Sequence, residues 1–121
     1  MGVYKASHRH ARISARKVRP LADLIRGKFA DEALEILRYQ PHRGARMLEK
    51  VVRSALGSAQ NPDHPLNKGR AVRLANLVVS DVYVNGGPMF KRIRPRARGM
   101  AFVILKRTAH IHVALEELDL N

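Results

Sequence analysis

The sequence predicts an α+β fold: three helices packed on a small three-stranded antiparallel sheet, with a long β-hairpin protruding from it. Three observations predict it. Apolar residues recur at helical spacing through the first half of the chain, and the period changes to two after about residue 70. The second half holds two β-like runs, Leu77 to Val84 and Ala101 to Leu115, long enough to pair as one hairpin. Between them lies Asn85-Gly-Gly-Pro-Met-Phe-Lys-Arg-Ile-Arg-Pro-Arg-Ala-Arg-Gly99, and no acidic residue occurs between Asp81 and Glu116.

Residues 1 to 12 are basic and mixed, and Val3, Tyr4 and Ile13 favour a short strand. His8 and His10, two apart, would then share a face. Ser14 is a good N-cap for a first helix ending near Arg26, with Val18, Leu21, Ala22 and Ile25 on one side. Pro20 lacks the N–H that a helix interior needs, so a bend or interruption is expected there. Gly27 is a C-terminal stop. Asp31 opens a second helix carrying Ala33, Leu34, Ile36 and Leu37, which ends before Pro41. The third runs from about His42 to Gln60 and buries Ala45, Leu48, Val52, Ala55, Leu56 and Ala59, with Met47 and Val51 widening the stripe.

Asn61 to Gly69 is a surface loop by its prolines and glycine. Val72 and Leu74 lead into a strand with Leu77, Val79 and Tyr83 on one side and Val78, Val82 and Val84 on the other. Apolar residues on both sides predict that part of the strand is sheltered on both faces. The return run carries Val103, Leu105, Ile111, Val113 and Leu115. Glu116 to Asn121 is an acidic end with no predicted structure. At ~3.3 Å per residue, ten residues of hairpin project about 30 Å, and such a ribbon is marginal by itself in water. The whole of 1–121 reads as one domain, with 77–115 as the hairpin.

Charge narrows the function. The chain of 121 residues carries a formal net charge of +13, 45% apolar residues, 5% aromatics and no tryptophan, so a small aliphatic core sits under a strongly self-repelling surface. A polyanion relieves that repulsion; nucleic acid comes first and an anionic membrane second. No amphipathic basic helix with exposed Phe or Leu appears, which disfavours the membrane. The absence of cysteine excludes disulfides, thiolate catalysis and cysteine zinc sites. No apolar run approaches the ~20 residues of a membrane span, and the N-terminus has no secretory core. A cytoplasmic protein is expected.

No catalytic constellation is present. The acids are scattered, and no phosphate-cradling glycine loop, nucleophile elbow or His-Glu-x-x-His occurs. His110 and His112 form a second pair two apart, but Arg9, Arg12 and Arg107 would repel a metal cation, so contact with phosphate or a base is the better role. We expect no cofactor, no metal and no enzyme activity.

The cations fall in two blocks. The first is Lys5, Arg9, Arg12, Arg16, Lys17, Arg19, Arg26 and Lys28, opposed only by Asp23. The second is Lys91, Arg92, Arg94, Arg96 and Arg98, continued by Lys106 and Arg107. Arginine's planar fork suits phosphate pairs and stacked bases. Arg43, Arg46, Lys50 and Arg53 are partly balanced by Glu49 and read as a solvated helix face. In an extended tip Arg92, Arg94, Arg96 and Arg98 would form a comb on one side, stiffened by Pro95, and would read shape and phosphate spacing more than sequence.

Ser14-Ala-Arg-Lys-Val-Arg19 with Leu24-Ile-Arg-Gly-Lys28, and Lys91-Arg-Ile-Arg-Pro-Arg-Ala-Arg-Gly99 with Lys106-Arg-Thr-Ala-His-Ile111, resemble the universal L22 family of bacterial large-subunit ribosomal proteins. The match runs from about Arg9 to Leu115. The resemblance implies the same three-helix, three-stranded fold with a hairpin. It implies a structural role, binding large-subunit (23S) rRNA across several of its domains early in assembly, beside neighbouring large-subunit proteins. It implies that Arg92, Arg94, Pro95, Arg96, Ala97, Arg98 and Gly99 line the nascent-peptide exit tunnel near its constriction, facing the nascent polypeptide. It further implies that the Ser14 to Lys28 block contacts rRNA at the subunit exterior; with the charge pattern, the expected rRNA-binding residues are Arg9, Arg12, Ser14, Arg16, Lys17, Arg19, Arg26, Lys28, Lys91, Arg92, Arg94, Arg96, Arg98, Lys106, Arg107 and His110. The sequence departs from the family pattern at Pro20, at Met100 in place of an arginine, and in the proline-rich Asn61-Pro-Asp-His-Pro. The rival reading is a nucleic-acid-binding or RNA-chaperone module outside the ribosome.

Overall fold

The computed structural model describes residues 3–61, 64, 76–95 and 97–118. The chain runs β1 (Val3–Ala11), α1 (Ala15–Ile25), α2 (Ala30–Tyr39), α3 (Arg43–Gln60), β2 (Leu77–Gly86), β3 (Phe90–Pro95), a 3-10 turn (Ala97–Gly99), β4 (Ala101–Lys106) and β5 (Ala109–Glu117). Val72, Leu74 and most of the Asn61 to Gly69 loop lie outside the described residues, as does Arg96.

β5 is the middle strand of an antiparallel sheet in the order β1-β5-β2. Its alternation is regular: Ala109, Ile111, Val113 and Leu115 are buried, and His110, His112, Ala114 and Glu116 face the other way, half-buried. The helices cover the buried face, bringing Val18, Leu21 and Ile25 from α1, Leu37 from α2, and Leu48, Val51 and Val52 from α3. Tyr4 is the one buried aromatic among the described residues. The strand continues to Glu117, and the Leu118 N–H donates to the Asn76 carbonyl at 2.7 Å. Glu116 and Glu117 are therefore strand, not an unstructured end.

Both outer strands carry a bulge. In β2 the pairing slips between Val79 and Asp81, leaving Ser80 as an extra residue. One inserted residue sends every later side chain to the opposite face. Leu77, Val79, Val82 and Val84 are thus all buried on the helix side, while Tyr83 is exposed. The expectation of a strand sheltered on both faces is corrected accordingly. In β1 the slip lies between His8 and Ala11, with His10 at φ 58°. It returns Ala11 to the core and moves His10 off the face that His8 occupies, so those two histidines do not share a side.

α1 is continuous from Ala15 to Ile25 with Pro20 inside it. A helix-interior proline costs about 3 kcal/mol. Burying Val18, Leu21 and Ile25 returns about 1.5–3 kcal/mol each, so tertiary burial outweighs the break. Ser14 occupies the N-cap, though its side chain makes no capping bond there. Gly27, at φ 80°, ends the helix as expected of a glycine. α2 starts one residue earlier than Asp31, with Phe29 at its N-cap; the Asp31 carboxylate instead accepts from the Glu32 N–H at 2.8 Å.

The segment after α1 closes the outer edge of β2. Gly27 N–H donates to the Val79 carbonyl (2.9 Å), Val79 N–H donates to the Lys28 carbonyl (2.8 Å), and Phe29 bridges to Val78. Further along, Arg26 Nη2 and Arg19 Nε donate to the carbonyls of Val82 (2.7 Å) and Val84 (3.2 Å). An edge so occupied cannot recruit another strand.

β3 and β4 form a second, two-stranded sheet beyond the first. The main pairing ends at Gly86 opposite Ala109, and the new one begins at Phe90 opposite Lys106. At the junction, Gly87 N–H donates to the Thr108 carbonyl (2.9 Å), and buried Thr108 donates its hydroxyl to the Pro88 carbonyl (2.7 Å). A Cβ on Gly87 would lie 2.5 Å from Thr108 Oγ1, so only glycine fits. Every residue of β3 is exposed. Its six residues carry the ribbon ~20 Å past the body.

Candidate nucleic-acid interface

Body and ribbon meet in an open cleft of about 1010 Å³. The body contributes His10, Arg12, Ser14, Lys17 and Arg43; the ribbon contributes Phe90, Arg92, Leu105, Lys106, Arg107 and Thr108. Six of these side chains are cationic and none is acidic. Arg12 and Lys17 of the first basic block meet Arg92, Lys106 and Arg107 of the second here.

Local structure explains how. The β1 bulge turns the chain before Arg12. Ser14 and Lys17 stand in the first turn of α1, and Arg43 is the first residue of α3. Gly44 brings these helix starts together, since a Cβ there would touch Leu21, Ile13 and Val18 at 3.2–3.3 Å. Both starts are electropositive and would ordinarily favour acidic residues. α2 follows that rule with Asp31 and Glu32 in its first turn. α1 and α3 have no acid in theirs and place Lys17 and Arg43 there instead. Cations set against the helix dipole cost stability, a cost that a bound anion would offset.

Of the residues singled out in the sequence, Arg12, Ser14, Lys17, Arg92, Lys106 and Arg107 line this cleft. Arg9, Arg16 and Lys28 are exposed elsewhere on the body. Arg19 and Arg26 are engaged with β2 carbonyls, and Arg26 also pairs with Asp23 at 2.6 Å, so part of the first block serves the fold. Arg94 shares a face of β3 with Arg92, whereas Lys91 lies on the opposite face beside Ile93. The comb is not continuous. Pro95 ends the strand, and Arg98 sits in the tip turn at φ 64°, where extended backbone has stopped. Gly99 follows at φ 71° with open space around it.

Arg43 was missed by sequence reasoning, which grouped it with Arg46 and Arg53. Those two do pair with Glu49, at 3.0 and 2.7 Å, and Arg46 also donates to the carbonyls of Leu37, Arg38 and Gln40 at the end of α2. Arg43 has a different neighbourhood. The signal was its place at a helix start lacking any acid.

His110 lies on the open face of the sheet, outside the cleft. Its Nδ1 accepts the His10 backbone N–H at 3.1 Å, and the rings meet edge to face at 4.8 Å. Desolvation first, then His10, His112 and Arg9, hold its pKa below the ordinary imidazole value. His112 shares this face, hydrogen-bonds Ser7 Oγ at 2.9 Å and stacks on Tyr83 at 4.6 Å. Among the described residues no group of three or more His, Cys, Asp or Glu side chains could hold a metal, and no helix is long and apolar enough to cross a membrane.

Fold and cleft define a class: a basic α+β protein with a projecting ribbon, whose cations converge where ribbon meets body. The chain belongs to the ribosomal protein L22p/L17e family, whose model matches residues 6–116. A Rhodopirellula baltica protein, "Large ribosomal subunit protein uL22", is 62% identical over 119 residues, covering 98% of each chain. Proteins of the same description from Caldicellulosiruptor saccharolyticus and Finegoldia magna are 52% and 46% identical, covering 94% and 96% of this chain and 88% and 97% of theirs. The family is structural and not enzymatic.

Proposed function

We propose that this chain is a structural constituent of the large ribosomal subunit, that it binds large-subunit rRNA in the cleft, and that its ribbon lines the nascent-peptide exit tunnel. The observation that carries RNA binding is the set of six cations, drawn from three distant parts of the chain, lining one cleft without a carboxylate. Each phosphate seated there displaces condensed counterions, which supplies affinity and makes it steeply dependent on salt. Residues 1–121 act as one rRNA-binding domain with 77–115 as its hairpin, whose base is part of the anchoring body and whose β3–β4 ribbon reaches inward. The tip residues Arg92, Arg94, Pro95, Ala97, Arg98 and Gly99 then stand at the tunnel wall, and the partners are rRNA, adjoining large-subunit proteins and the passing polypeptide. Such a protein works in the cytoplasm. The extensive similarity to proteins named as large-subunit components supports the assignment.

Sucrose-gradient sedimentation of a cell lysate at high salt tests it. The chain is expected to travel with the large subunit. Recovery at the top of the gradient, free of ribosomal RNA, would identify a module working outside the ribosome.

A further inference from the structure

The ribbon's two faces differ. The β3–β4 register places Phe90, Arg92, Arg94, Phe102, Ile104 and Lys106 on one side. The other side carries Lys91, Ile93 and Pro95 opposite Leu105, Val103 and Ala101. Cations alternate with aromatic rings on the first face, whereas the second carries one cation, Lys91, among aliphatic side chains and no aromatic ring. Phe90 and Phe102 are each 51% exposed, too open to serve a core. The Arg92 guanidinium lies over the Phe90 ring, 5.9 Å from its centre, so cation and ring already act as one unit on this face. Phe90, Arg92 and Lys106 of this face line the cleft, against Leu105 alone from the other, so the cationic-aromatic face is the one that mainly continues it.

From this arrangement we propose that the Phe90–Phe102 face is a stacking platform for unpaired RNA bases, fed by a strand whose phosphates are held in the cleft. The proposal rests on the RNA-binding reading above and specifies the form of RNA. A cation set alone takes duplex or single strand alike. Exposed rings interleaved with arginines favour the single strand, because only splayed bases offer their π-faces. Phe90 and Phe102 stand at positions four residues apart along the strand, ~13 Å, so they take different bases. The aliphatic face offers no cation comparable to Arg92 and Arg94 and is not part of the platform.

The test uses the full chain, a fluorescent 12-nucleotide single-stranded RNA carrying 2-aminopurine, and a 12-base-pair RNA duplex. The parent should bind the single strand more tightly than the duplex and quench 2-aminopurine. Phe90→Leu and Phe102→Leu keep an apolar side chain in the ribbon; each should weaken single-strand binding about tenfold and reduce quenching, and Phe102→Leu, which lies outside the cleft lining, should leave duplex affinity and the salt slope unchanged. Arg92→Gln should weaken both RNAs and lower the slope. If the leucine variants bind both RNAs like the parent while Arg92→Gln does not, the platform is refuted and the RNA-binding cleft stands. If the parent binds neither RNA, the RNA-binding reading itself fails.

Discussion

Replacing Lys17 and Arg43 together by glutamine tests the cleft where it is least entangled with folding. Both side chains are exposed, and no hydrogen bond or ion pair ties either to the protein among the contacts described above. The cleft presents six cations: Arg12, Lys17, Arg43, Arg92, Lys106 and Arg107. If each neutralises one phosphate of an unpaired strand, log K falls against log salt with a slope of about −4, from −0.7 per contact. Removing two leaves a slope of about −3. Between 50 and 200 mM salt, the parent should then lose about 300-fold in affinity and the variant about 50-fold. Fluorescence anisotropy with a large-subunit rRNA fragment, repeated at five salt concentrations, measures both slopes. Arg38→Gln with Lys50→Gln removes the same charge away from the cleft and should leave the slope at its parent value. Equal slopes for the two double variants would refute the cleft and leave only a diffuse effect of net charge.

Two further predictions concern the framework that holds the cleft open. Gly87→Ala sets a methyl 2.5 Å from Thr108 Oγ1 and 3.1 Å from His110 Nε2, displacing the Thr108–Pro88 hydrogen bond. Overpacking and the lost bond together cost about 2 kcal/mol, a fall of about 8 °C in Tm by calorimetry, and Thr108→Ala in that background should recover part of it. A parent-like Tm would contradict the close approach. His110 titrates below its ordinary 6.5 in the folded chain, so below that pH the unfolded chain binds the extra proton. Stability present at neutral pH is therefore lost on acidification through about 6.5. His110→Asn should flatten that loss in urea midpoints taken at pH 5.5 and 7.5; an equal loss in the variant would assign it to other groups.

The sequence carried the elements well because their periods are set by their own residues. β5 alternates without interruption, and the three helices show their stripes. The bulges were illegible for a physical reason: an extra residue in β2 or β1 exists only relative to a partner strand. Ser80 looks ordinary until β5 is laid beside it, and both the burial of Val82 and the exposure of Tyr83 follow from it. Of the two outcomes expected at Pro20, interruption does not occur, because the burial of Val18, Leu21 and Ile25 holds α1 continuous across it. The site was legible as charge but not as place. Arg12, Lys17, Arg43, Arg92 and Lys106 are distant in sequence, and only the fold unites them. Conversely, Arg19 and Arg26 counted as free cations until β2 supplied carbonyls for them. The resemblance identified the family from two motifs, yet it gave no hint that the ribbon has one cationic-aromatic face and one aliphatic face.

A density map of the assembled large subunit containing this chain decides whether RNA fills the cleft. An rRNA strand is expected between body and ribbon, with phosphate oxygens within about 4 Å of at least four of the six cleft cations. A cleft open to solvent, with RNA seated instead on the Tyr83–His112 face of the sheet, would contradict it.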